Sequence, residues 1–246
     1  MPNNLAYTLQ IIQPFATGSI FLLTYLVEHI IPQRRELIDH RHDAKNIALG
    51  IFNTAFVFVV GYYFQQVIQY CNQQQFGLIQ WLQMPNWLQL IVGFLLIDCF
   101  LYWWHRSNHV LPFLWYFHKF HHADTKMNST TAIRFHTGEL SLSFIVKLAL
   151  FPLLGINVNA VLLHGLVLLP VIIIHHSNVK ISEPLDLLLR RFIVSPRMHR
   201  IHHSIIQAET DSNYSSIFPY WDKLFKTYNK LPQQPIEFGI KKRVFL

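Results

Sequence analysis

The sequence predicts an all-α fold: a multi-pass membrane bundle of four to five membrane segments, with a cytoplasmic helical cap that carries a histidine-rich dimetal site. Three observations lead there. The 246 residues are 52% hydrophobic and 15% aromatic but only 13% charged, against about a quarter charged in soluble domains. Charge is also missing over long stretches: no Asp, Glu, Lys or Arg precedes Glu28, and none lies between Lys45 and Asp98 or between Lys147 and Lys180. Finally, histidines recur in three motifs: His105 and His109 as H-x3-H, then His118, His121 and His122 and again His199, His202 and His203 as H-x2-HH.

The first apolar run, residues 9–31, is long enough to cross a bilayer at about 1.5 Å per residue. It lacks the basic n-region of a secretory signal and is expected to be retained. A charged loop, RRELIDHRHDAK, follows, and the two-residue spacing of His40 and His42 puts them on different helical faces, as in a solvated loop. A second span covers 47–70, and the uncharged Gln-rich link after it, with Phe76, Trp81 and Trp87, suits the headgroup region.

The third span, 87–104, delivers the chain to His105. Asp98 lies one heptad earlier on nearly the same face; a carboxylate there is expected to accept a hydrogen bond from a ligand histidine, or else to pair with a neighbouring polar residue. Residues 105–139 are hydrophilic and belong outside the hydrocarbon. Two apolar stretches, 140–154 and 157–174, form a hairpin that is either tilted or re-entrant, and His164 in mid-span suits helix packing. LDLLLRRFI reads as an amphipathic helix on the membrane surface.

The net charge of +7 arises from basic residues beside apolar runs, which fits the cytoplasmic Lys/Arg excess of membrane proteins rather than nucleic-acid binding. With five crossings the N-terminus lies outside, and the histidine motifs face the cytoplasm. Cys71 and Cys99 offer no disulfide framework and no Cys-based metal site.

On a helix, residues three and four apart share a face, so each motif presents converging imidazoles. A lone histidine on an apolar helix is most often a core residue, but eight in three repeated motifs make twice the four ligands of a closed zinc site, which implies two metals. There is no H-E-x-x-H, and acidic residues are scarce in the motifs, unlike the Glu-x-x-His pairs of soluble di-iron proteins. Metals at the ends of spans suit an enzyme that meets a lipid rising from the hydrocarbon. A metal transporter, the alternative along with a histidine-rich metal-binding protein, tends to hold its ligands near the bilayer midplane. Attack on an unactivated C–H bond needs a redox metal and O2, which excludes zinc.

The stretches DCFLYWWHRSNH, LWYFHKFHH, RFHTGE, HSN, SPRMHRIHHS, ETDSNY and WDKLFKTY resemble, in order and surroundings, the fatty acid hydroxylase/sterol desaturase family of membrane di-iron oxygenases. The resemblance covers residues 98–228. It implies a membrane-bound oxidoreductase that uses two iron ions and O2 to hydroxylate or desaturate a fatty acyl chain, sterol or other lipid. It makes His105, His109, His118, His121, His122, His199, His202 and His203 iron ligands and nominates His136 and His176 to complete the spheres, with a weaker claim for His175 near the metals. Three parts follow: membrane segments at 1–97, a catalytic domain at 98–230 that includes the hairpin, and a tail at 231–246. Without a G-x-G-x-x-G or a fused haem segment, electrons are expected from a separate cytochrome b5-like or ferredoxin/reductase protein; Arg197 and Arg200 suit its docking or lipid headgroups. The chain departs from the family pattern at Thr137, where Pro is usual, and at Ser215 and Lys226, where Gly is usual.

Overall fold

The computed structural model describes residues 4–233 and 235–241, and no β-strand occurs among them; part of the expected tail lies outside the described residues. Five helices are long and apolar enough to cross a membrane, and their outward faces are apolar, with Phe15, Leu22, Phe52 and Phe58 all exposed. Exposed apolar surface on this scale belongs to a bilayer, not to water. The protein is an integral membrane protein.

Helix α1, Asn4–Ile30, rises to the histidine end of the bundle and packs along α7, Val158–His176. Helix α2, His40–Gln73, descends from that end. It starts earlier than the charge pattern suggests because Asp39 caps it, its side chain accepting from the backbone N–H groups of Arg41 and His42 and so satisfying donors left over at the helix start. His40 and His42 therefore stand on the first turn of a helix rather than in a loop. Its 34 residues make about 51 Å, longer than the hydrocarbon, so the polar first turns project beyond it.

The Gln-rich link turns the chain at the opposite end through the short α3, Leu78–Trp81, and α4, Asn86–Val110, returns to the histidine end. Pro112 forces a break after it and opens α5, Pro112–His122, with its ring at the first turn. A 3-10 turn, Ser129–Ile133, leads into α6, Thr137–Leu154, and α7 completes the hairpin.

The hairpin runs the length of the bundle. Its turn at Gly155 has φ 72° and sits on the α2–α3 turn at Gly77, with φ 108°; Gln80 donates to the Gly155 carbonyl at 3.2 Å and Asn72 to that of Ile156 at 3.1 Å. The hairpin thus reaches the same end of the bundle as the α2–α4 connection. The core beside it contains Phe64, Ile68, Ile97, Phe151 and Ala160. Gly93 lets α4 and α7 close up, since a Cβ there would stand 2.9 Å from that of Ala160, the small-residue packing typical of membrane helices.

After α7 the chain caps the histidine end with α8, Glu183–Leu189, α9, Pro196–His202, α10, Gln207–Thr210, and α11, Tyr220–Leu224. Leu185, Leu187, Leu188 and Phe192 are exposed along and just beyond α8, as the amphipathic pattern predicts. Asp222 folds the loop before α11, accepting from Tyr214 N at 2.8 Å, Ser215 N at 3.0 Å and Thr227 Oγ1 at 2.7 Å.

Candidate metal centre

Three helix ends bring the motif histidines together, and they sort into two groups. One contains His105, His109, His118, His122 and His202; the other contains His121, His176, His199 and His203; within each group the potential ligand atoms lie within 4.8 Å of one another. Each H-x2-HH motif divides between the two. Adjacent residues diverge by about 100° on a helix, whereas residues four apart nearly coincide. On α5, His118 and His122 join the first group and His121 the second; on α9, His199 and His203 join the second and His202 the first. Each motif thus gives its i, i+4 pair to one group and its remaining member to the other.

Backbone carbonyls fix the tautomers. A carbonyl only accepts, so His105 Nδ1 donates to Tyr214 O at 2.8 Å and His202 Nδ1 to Ser212 O at 2.7 Å. Both Nε2 atoms then bear lone pairs, yet they face each other at 2.9 Å. In the other group His121 Nδ1 donates to Arg134 O at 3.1 Å and His176 Nδ1 to Ile172 O at 2.8 Å, and their Nε2 atoms stand 3.1 Å apart. His199 Nε2 lies 3.0 Å from that of His176 and 3.2 Å from that of His203. Lone pairs cannot hydrogen-bond to one another, and a donor set so arranged suits cations placed between them. His118 Nδ1 lies 2.9 Å from Glu139 Oε1, the carboxylate–histidine pairing that raises ligand basicity in metal sites.

Burial first, and repulsion between neighbouring imidazoles next, hold His121, His122, His199 and His203 well below the ordinary histidine range. His202 is lowered for the same reasons. Neutral imidazole is the form that ligates metal, so these residues meet a cation without first losing a proton.

Three further expected site residues belong to neither group, although His175 lines the same cavity as the histidines. His136 is exposed and caps α6, its Nδ1 accepting from Gly138 N at 3.0 Å, and its ring lies against Phe117 and Phe120 rather than in either group. His175 stacks on His199 with ring centroids 3.9 Å apart but belongs to neither group. Asp98 accepts from Trp221 Nε1 at 2.8 Å and Phe218 N at 3.3 Å and faces His164 at 3.4 Å. The reason is rise: one heptad shares a face with His105 but stands about 10 Å down the helix.

The residues that orient the site from behind escaped the motif reading. Arg134, whose carbonyl holds His121, donates from Nη1 to Asn46 Oδ1 at 2.9 Å, and Asn46 Nδ2 donates to Asp124 Oδ2 and Thr130 Oγ1 at 3.2 and 3.0 Å. Buried Glu28 accepts from Ser129 N and Asn178 N at 3.0 and 2.9 Å and so ties the 3-10 turn to the end of α7. The signal was present in the sequence: Asp43, Asn46, Gly50 and Asn53 recur three and four apart on α2, and all are buried.

A cavity of about 150 Å³ runs from the histidines into the bundle. Leu101, Trp104, Leu140, Leu168 and Ile172 line its membrane side, and His105, His118, His121, His176 and His199 its head. An apolar channel ending on two groups of imidazole nitrogens can seat an apolar chain with one carbon beside them.

Residues 90–227 match the family model for fatty acid hydroxylase. The ornithine lipid hydroxylase OlsE of Rhizobium tropici is 32% identical over 166 residues, which make 66% of this chain and 48% of that protein. Alkylglycerol monooxygenase of Danio rerio is 35% identical over 56% of this chain and 30% of its own, and that of Homo sapiens 33% over 60% and 32%. The chain spans about half or less of the length of these relatives. No solved structure matches it.

Proposed function

The chain belongs to the fatty acid hydroxylase family, and from that premise we propose that it is an O2-dependent di-iron oxidoreductase that hydroxylates a C–H bond of a membrane lipid. The observation that carries this reading is the convergence of lone-pair-bearing imidazoles at the head of an apolar cavity. His105, His109, His118, His122 and His202 would hold one iron and His121, His176, His199 and His203 the other. Iron bound there supplies the redox chemistry with O2 that imidazole alone lacks. His136, His175 and Asp98 have positioning or packing roles in this scheme.

The chain's own residues do the rest. Backbone carbonyls and Glu139 keep Nδ1 protonated and Nε2 turned to the metals. Leu101, Leu168 and Ile172 exclude water and align the acyl chain. All three relatives named above carry the names of lipid hydroxylases or monooxygenases, which favours hydroxylation over desaturation here. Electrons come from a separate protein, and the histidine end faces the cytoplasm, where Lys and Arg are concentrated.

The test is a lipid extract from cells with and without the protein, grown under 18O2 and compared by mass spectrometry. One labelled oxygen in a lipid, absent with His121→Ala, is the expected result. A protein that binds only zinc and moves it across vesicle membranes, with no oxygenated lipid, refutes the assignment in favour of transport.

A further inference from the structure

A third group of ligands stands apart from both histidine groups, where α1 ends and α2 begins. His29, on the last turn of α1, and His40 and Asp43, on the first turn of α2, place one nitrogen or oxygen each within 4.8 Å of the others. His29 Nδ1 lies 2.7 Å from Tyr25 O, and since a carbonyl only accepts, Nδ1 is the protonated nitrogen. In the neutral ring Nε2 therefore carries a lone pair. It is buried without a hydrogen-bond partner and faces Asp43 Oδ2 at 3.7 Å. A lone pair against a carboxylate oxygen is repulsive unless a cation sits between them.

The carboxylate is held in place. Asp43 accepts from Tyr25 Oη at 3.1 Å, from His42 Nδ1 at 3.1 Å and from Asn128 Nδ2 at 2.7 Å. The His40 ring is exposed and stacks on that of His29, with centroids 5.5 Å apart and planes 10° from parallel. A tetrahedral ion with metal–nitrogen bonds of about 2.1 Å sets its ligands about 3.4 Å apart. Closing the group to that size needs a swing of the exposed His40 ring and a shift of a few tenths of an ångström between His29 and Asp43. A tautomer fixed through a backbone carbonyl is the arrangement found behind metal-bound histidines.

We propose that His29, His40 and Asp43 bind a divalent cation of borderline softness, zinc foremost, with a fourth position open to water. Two imidazoles and a carboxylate suit that class of ion. The ion closes the connection between α1 and α2, clamping the end of α1 to the start of α2 next to the bridge between Pro32 and Val179.

Equilibrium dialysis of the full-length protein in detergent against micromolar zinc chloride, read by elemental analysis, tests this. Wild type should take up one zinc per chain more than His40→Ala, and His40→Ala should bind that zinc at least tenfold more weakly. His40 is exposed, so its loss does not threaten the fold, and equal metal content of the two histidine groups in both proteins verifies that. The difference between the two proteins reads this site whatever occupies the other groups. Equal zinc uptake by wild type and His40→Ala overturns the proposal, as does a wild type that takes up no zinc beyond the two histidine groups; a proton on His29 would then do the work of the ion.

Discussion

Replacing Glu139 separates two ways in which it can serve His118. Its Oε1 accepts from His118 Nδ1 at 2.9 Å and from Asn108 Nδ2 at 3.3 Å, and its side chain is buried. Glu139→Gln keeps an acceptor for His118 but removes the negative charge, so the imidazole becomes a weaker base. Residues that support metal-ligating histidines typically contribute 10–100-fold in metal affinity; a neutral acceptor should lose about tenfold, near 1.4 kcal/mol. Glu139→Ala removes the acceptor as well. It strands a buried N–H at about 1–3 kcal/mol and frees the ring to turn, so it should lose about 100-fold. The assay is iron retained against a graded chelator series, with a thermal melt of each metal-free protein as a control on folding. If Glu139→Gln retains iron as firmly as wild type, the carboxylate's charge does not support His118 and the reasoning fails.

Four further outcomes follow from the same geometry. The metal-free protein should lose stability as pH falls below about 6.5: His121, His122, His199, His202 and His203 are neutral when folded, the unfolded chain binds more protons, and each contributes up to about 1.4 kcal/mol per pH unit. Melting temperatures at pH 7.5 and 5.5 check it, and a flat profile counts against burial of these rings. Gly50→Ala would put a Cβ 2.8 Å from Ile133 Cγ1 and 2.9 Å from its Cβ, which should cost about 1–3 kcal/mol by denaturant titration. Lys226 has φ 60°, so Lys226→Gly should stabilise by about 1 kcal/mol by relieving left-handed strain; a destabilised variant would assign the Lys226 side chain a role of its own. Leu168→Trp should block the cavity and cut lipid turnover at least tenfold while iron content stays at the wild-type level; full activity would place the substrate elsewhere.

The number and spacing of the histidines could be read from the chain because helical periodicity turns i, i+3, i+4 into a face. The same periodicity implies that neighbours in HH diverge, yet the division of each H-x2-HH motif between two groups becomes visible only once α4, α5 and α9 are packed. His176 ends an apolar helix with nothing around it to mark a ligand, and only the resemblance nominated it. The resemblance nominated His136 on equal terms, but a histidine just before a helix is also a good cap, and there the backbone N–H of Gly138 engages its ring nitrogen. Asp98 shows the limit of a face argument: it fixes azimuth and ignores depth. The polar stripe of α2 was not legible because Asp43 falls in RRELIDHRHDAK, which looks like a loop without faces, while Gly50 and Asn53 fall in an apolar span.

Of the departures from the family pattern, two are accommodated without a special backbone. Ser215 is buried and binds Asp222 through its own N–H, so the loop keeps the shape that a glycine would allow. Thr137 donates from Oγ1 to Asn53 Oδ1 at 3.0 Å, a bond that proline could not make, and so ties the start of α6 to the α2 stripe. That bond matters because α6 carries Glu139. Asn53 also donates to the Phe135 carbonyl at 2.8 Å, so one amide on α2 grips both sides of His136 and fixes the direction in which α6 leaves the cap. Arg134, one residue before Phe135, holds His121 through its carbonyl and is itself held by Asn46, two turns up the same helix. Helix α2 contributes no member to either histidine group, yet through Asn46 and Asn53 it sets the orientation of one nitrogen in each: His121 by way of Arg134, and His118 by way of Glu139.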